Sequence, residues 1–136
     1  MGKRRLRILD TNVLIGHLRL LPSTQRKPNQ VKKWALELIE TYNTNLIGSP
    51  VRIEFLAGSN NPDELKLFLA YIEQFEVVDD RQIPRQDWVE AERLAKRIRR
   101  GGRRRKLGDC LLQAIALRLN CDIVTADSDF NSRIPP

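Results

Sequence analysis

The chain contains a single histidine, His17, and that scarcity removes one class of chemistry. An acid–base mechanism built on a pair of histidines has no second partner here. Cysteine is nearly as rare. Cys110 and Cys121 lie near opposite ends of one predicted helix without any CxxC-like spacing, so zinc is not expected and both read as inert packing residues. Aromatic residues make up only 6% of the chain and do not interleave with the arginines, which argues against a base-stacking platform. No apolar run approaches the roughly 20 residues of a membrane span. The basic opening MGKRRLRILD has too short an apolar run for a secretory signal, and Leu6 breaks a myristoylation pattern. A P-loop and a dinucleotide fingerprint are also absent.

What the chain has in excess is positive charge. Lys and Arg number 24 against 17 Asp and Glu, for a net charge of +7 and a pI near 9.9. Such a balance favours a polyanionic partner, nucleic acid first. The charge concentrates in Lys3-Arg4-Arg5-Arg7 and in RLAKRIRRGGRRRK, from Arg93 to Lys106. The second stretch supplies Arg99, Arg100, Arg103, Arg104, Arg105 and Lys106 as candidate backbone-phosphate contacts. A charge run of this kind is also the ordinary composition of a solvated loop. At 136 residues and 41% apolar content the chain reads as one domain, residues 1–136. Reduced thiols point to the cytoplasm.

Residues 6–9, LRIL, read as a short buried strand, followed by a short helix over VLIGHLR. PSTQRKPNQ reads as a loop. Val31, Trp34, Ala35, Leu38 and Ile39 recur at helical spacing and predict a helix from about Val31 to Thr41. Leu46 to Gly48 forms a second strand. Ser49 is expected to cap a helix with Pro50 at its first position and Gly58 at its end. A helix over Asp63–Gln74 and a strand over Phe75–Val78 follow. Pro84 opens a long helix with Trp88, Ala91, Ala95 and Ile98 inward, and Gly101-Gly102 stops it. Trp34 and Trp88 are expected as core anchors. Asp109 to Asn120 forms an apolar helix, and Asp122 to Thr125 the fourth strand. Strands separated by helices imply a three-layer α/β/α sandwich around a parallel sheet of about four to five strands. Its functional crevice lies beyond the carboxyl ends of the strands.

Asp10 and Asp127 fall at that edge. Asp109 opens a helical pattern, and Glu54 interrupts the apolar residues Val51, Ile53, Phe55 and Leu56. Taken singly, each acid has a bland reading: Asp10 and Asp109 as helix caps, Asp127 and Asp129 as turn residues, Glu54 as a solvent-facing side chain. Taken together, converging acids in a basic chain suit a hard divalent cation held against a phosphodiester backbone.

These residues resemble those of the PIN-domain family, most closely the bacterial VapC-type toxin ribonucleases. The similarity runs through LDTNVLI at residues 9–15, Glu54-Phe55-Leu56-Ala57-Gly58, Asp109-Cys110-Leu111-Leu112-Gln113-Ala114, and Thr125-Ala126-Asp127-Ser128-Asp129-Phe130. GRRRKLGD also resembles the family's approach to its third acid. Gln113 departs from the pattern, where Ala is usual. The resemblance implies a metal-dependent endoribonuclease using Mg²⁺ or Mn²⁺. It implies metal ligation by Asp10, Asp109 and Asp127, a water-mediated role for Glu54, and support from Asp129. Thr11, Asn12 and Thr125 suit hydrogen bonding to the acids or to the scissile phosphate. It further implies an RNA substrate, a cognate antitoxin protein and a homodimer. Two other classes compete. A non-catalytic RNA-binding or scaffold version of the fold typically loses an acid, and all four are present. A phosphatase with a nucleophilic Asp10 needs a second Asp two residues on, where Asn12 stands.

Overall fold

The computed structural model describes residues 5–97 and 106–126. Among these, the elements in chain order are β1 (Leu6–Leu9), α1 (Thr11–Arg19), a short 3₁₀ turn (Ser23–Gln25), α2 (Pro28–Tyr42), β2 (Leu46–Ile47), α3 (Ser49–Ala57), α4 (Pro62–Ile72), β3 (Glu76–Val77), α5 (Arg85–Ala95), α6 (Leu107–Leu119) and β4 (Cys121–Val124). The four strands form one parallel sheet in the order β3-β2-β1-β4. Leu6–Leu9 pair residue for residue with Cys121–Val124, and Ile8 faces Leu46 on the other side. The parallel sheet flanked by helices is the expected sandwich.

Burial explains the central position of β1. Ile8 and Leu9 are fully enclosed, and Ile47 and Ile123 continue the same core on the neighbouring strands. Cys110 to Ala116 of α6 are all buried, so this helix has no solvent stripe through its middle. It lies so close to the end of β2 that a Cβ on Gly48 would stand 2.7 Å from Leu112 Cδ1, so a side chain there would force the Leu112 side chain to shift. A second, smaller core of Ala91, Leu94, Cys110, Leu111 and Ala114 joins α5 to α6.

Three expectations need correction. The α2 helix starts at Pro28, since proline at a first helical position needs no hydrogen-bond partner, so the loop before it is shorter than expected. Ser49 is not a cap but the first residue of α3, whose cap, Gly48, has no side chain. The Ser49 N–H and hydroxyl instead donate to Asp79 Oδ1 at 3.1 and 3.0 Å, so an acid from beyond β3 does the capping. The α5 helix buries Asp87, Ala91 and Leu94, while Trp88 is 49% exposed and anchors nothing. Rotating the helix so that Asp87 faces inward is stabilised by Arg118 Nε, which donates to both Asp87 oxygens at 2.9 and 3.0 Å. Ile98 and Gly101-Gly102 lie outside the described residues.

His17 ties α1 to its neighbours. Its ring stacks on Trp34 at 4.3 Å between centroids, and Nδ1 shares a 2.8 Å hydrogen bond with the Tyr71 hydroxyl. Burial lowers the His17 pKa to about 4 and pushes the Tyr71 phenol well above its usual value. Both groups are neutral at physiological pH, and the stacked, hydrogen-bonded His17 ring packs α1 against α2 and α4.

Candidate metal and nucleic-acid site

The site begins where β1 and β4 end side by side. The Asp10 N–H donates to Val124 O at 2.9 Å, which holds the first residue beyond β1 against the last of β4. The Asp10 side chain is 6% exposed. Burial of a carboxylate is costly unless donors meet it. Here Oδ1 accepts the Thr11 N–H at 2.7 Å and Oδ2 accepts the Thr125 hydroxyl at 2.9 Å. Asp10 also caps α1, whose N-terminal dipole favours the negative charge. The capping role and the functional reading are therefore compatible: capping is what fixes the carboxylate.

Asn12 completes this corner. Its Oδ1 accepts the Ala126 N–H at 3.1 Å and lies 3.0 Å from the Thr125 hydroxyl. Because the Ala126 N–H requires an oxygen there, the hydroxyl hydrogen is shared between Asn12 and the charged Asp10. The result is a closed corner in which the first residues of α1 grip the segment that leaves β4. Of the three, Thr125 meets Asp10 through its side chain, Thr11 does so through its backbone N–H, and Asn12 reaches Thr125 and Ala126 rather than the carboxylate.

Glu54 approaches from α3. It is exposed, and its Oε2 would lie 3.3 Å from a Cβ on Gly108. The Glu54 carboxylate therefore rests on the first turn of α6 at Gly108, the residue before the half-buried Asp109. Asp109 is inside that turn and not its cap, which is Lys106. The contact of Gly108 with the Glu54 carboxylate is one that sequence reasoning missed. The only signal was the place of Gly108 in GRRRKLGD, directly before the third acid.

Thr11, Glu54 and Lys106 share the wall of a cavity of about 460 Å³ that extends between α1, α3 and α4. Lys106 is exposed there. Asp127, Asp129, Arg99, Arg100, Arg103, Arg104 and Arg105 lie outside the described residues. Among the described residues, no three His, Cys, Asp or Glu side chains converge closely enough to form a metal site by themselves. The donors that border the site are nevertheless all oxygens, without a thiolate or imidazole, and that donor chemistry fits a hard divalent ion. Asp127 follows Thr125 by two residues in the chain. No described helix is long and apolar enough to cross a membrane.

A family model described as the PIN domain matches residues 7–133. That span contains all four acids and, apart from Leu6, every described strand of the sheet.

Proposed function

Since the chain belongs to the PIN-domain family, whose members are generally nucleases that act on nucleic acid and typically use divalent metals, we propose that it is a Mg²⁺- or Mn²⁺-dependent endoribonuclease. The observation that carries this reading is the fixing of Asp10. A buried carboxylate is held at the carboxyl edge of a parallel sheet by a helix N–H and by a threonine from the neighbouring strand. In such sheets ligands bind at that edge.

Asp10, Asp109 and Asp127 are the proposed ligands, with Glu54 and Asp129 in supporting roles. A cation held by these residues would activate water and offset charge growing on the phosphate. The protein's own part is positional. Thr11 and Thr125 hold the Asp10 oxygens in place, which limits reorganisation during the reaction. Asn12 holds the start of the segment carrying Asp127. Glu54 is free enough of the core to orient water or to take up a proton. Lys106 and the arginines that precede it neutralise RNA phosphates, so affinity falls steeply with salt.

The resemblance to VapC-type proteins supports a finer reading: the toxin of a type II toxin–antitoxin pair, acting in the cytoplasm as a homodimer. The antitoxin then blocks the crevice with a basic side chain placed among the acids. Metal binding tests the core of this proposal without needing the RNA target. Millimolar Mn²⁺ or Mg²⁺ should raise the melting temperature of the wild-type chain, because a ligand bound only to the folded state stabilises it. The shift should vanish in Asp109→Asn, and an equal shift in that variant would remove the site.

A further inference from the structure

The α3 helix is anchored from outside itself. Its N-terminal cap, Gly48, has no side chain, and a Cβ there would stand 2.7 Å from Leu112 Cδ1, so the packing of α6 crowds the place of an ordinary capping group. The acceptor comes instead from Asp79, 30 positions beyond Ser49 and past the end of β3. Asp79 is 5% exposed, and its Oδ1 takes both the Ser49 N–H and the Ser49 hydroxyl. Its Oδ2 is buried without a donor among the described residues. An orphaned carboxylate oxygen is costly, and it leaves Ser49 as the only hold on this side chain.

The backbone that delivers Asp79 is strained. Asp80 and Arg81 have φ of 52° and 59°, and the Gln82 N–H donates to Asp79 O at 2.9 Å, closing a turn across them. A turn with both central residues left-handed favours Asn or Asp followed by Gly, and Arg81 stands where glycine is favoured. Such strain persists where surrounding contacts over-determine the backbone, and it clusters at functional sites. The two bonds to Ser49 are contacts of that kind.

What α3 carries is Glu54. It follows Ser49 by five residues, a rise of about 7.5 Å along the helix. Its side chain is exposed, and its carboxylate rests over Gly108. With little packing around it, the carboxylate stands wherever the helix stands. A misplacement of about 1 Å at a reacting group costs up to about 100-fold in rate.

We propose that Asp79 is a positioning residue for Glu54: by fixing the first turn of α3, it sets the place of the Glu54 carboxylate over α6. The proposal rests on the nuclease reading for the role of Glu54. Asp79 acts through Ser49 and the helix, not on the reacting atoms.

The test is a double-mutant cycle on RNA cleavage with Asp79→Ala and Glu54→Gln, joined to amide hydrogen exchange on the same proteins. Asp79→Ala should lower kcat about tenfold and leave KM within about twofold. In the Glu54→Gln background the same change should cost less than about twofold, because the group it positions is already gone. Asp79→Asn keeps the acceptor and should hold cleavage within about twofold of the wild type. In Asp79→Ala the α3 amides should exchange about tenfold faster while those of β1 and β4 keep their rates, which also shows that the variant is folded. If Asp79→Ala does not fold, Ser49→Ala replaces it in the cycle, with an expected loss of about threefold. Equal losses with and without Glu54 would overturn the proposal and leave Asp79 a general stabiliser. Unchanged exchange in α3, or an Asp79→Asn as impaired as Asp79→Ala, would overturn it too. A wild type that cleaves no RNA removes the nuclease reading instead, and the exchange rates then decide the anchoring of α3 by themselves.

Discussion

The Thr125 hydroxyl lies 2.9 Å from Asp10 Oδ2, although 115 positions separate the two residues in the chain. This contact joins the ends of the paired strands β1 and β4 and sets the direction of the buried carboxylate. Groups that orient a metal-binding carboxylate typically change affinity or activity 10- to 100-fold when lost. Thr125→Val keeps the shape and removes the hydroxyl. We expect RNA cleavage to fall by about that factor, with a stability loss of about 1.5–3 kcal/mol because a buried charged oxygen loses a donor. Cleavage rates paired with urea melts check this, and unchanged cleavage would make the contact merely structural.

Gly108 provides a test in which stability and activity move in opposite directions. An alanine there suits the first turn of α6 and should raise stability by up to about 1 kcal/mol. Its Cβ would press on Glu54 Oε2 at 3.3 Å. Cleavage should therefore drop several-fold in Gly108→Ala while the melting temperature holds or rises. A fall in both quantities would mean that Gly108 serves the helix alone.

Arg118→Met addresses the fold rather than the site. Asp87 is only 1% exposed, and its charge is met by the Arg118 guanidinium. Removing one partner of a buried pair typically costs about 3–5 kcal/mol, and the partial exposure of Arg118 places this case at the lower end, near 3 kcal/mol. Adding Asp87→Leu should restore most of the loss. If the single variant melts like the wild type in urea, the inward orientation of α5 owes nothing to the pair.

His17 gives stability a pH dependence. Its folded pKa of about 4 lies below the ordinary 6.5. Between those values the unfolded chain binds a proton that the folded chain refuses, so stability falls as pH drops from about 6.5 toward 4. The neutral substitution His17→Gln should flatten that portion of the curve. An unaltered slope in urea melts across this window would assign the dependence to the acids instead.

How much of this was readable in the sequence depends on the range of the interaction. Strand β1, the helix starting after Asp10 and the helix ending at Gly58 follow from local rules of hydrophobic patterning and capping, and they stand where expected. The parallel sheet follows from the alternation of strands and helices. The misreadings at Ser49 and Trp88 have one cause. Each was settled by a charged group distant in sequence, Asp79 for Ser49 and Arg118 for Asp87, and no local pattern announces such a partner. The cluster of Thr11, Asn12 and Thr125 around Asp10 was legible through motif resemblance. The contact of Glu54 with the Gly108 turn was not, because it depends on how α3 and α6 pack. Asp127, Asp129 and the arginines from 99 to 105 lie outside the described residues, so their roles stand as proposals.

The central claim is that acids around Asp10 cut RNA with the help of a divalent ion. The direct measurement is cleavage of structured RNA by the purified chain in Mn²⁺, in Mg²⁺ and in EDTA, with Asp10→Asn prepared in parallel. Asparagine preserves the cap on α1, so the fold should survive while the carboxylate charge is lost. The account predicts cleavage in either metal, none in EDTA and none from the variant. Cleavage by Asp10→Asn at the wild-type rate, or cleavage that persists in EDTA, would contradict it.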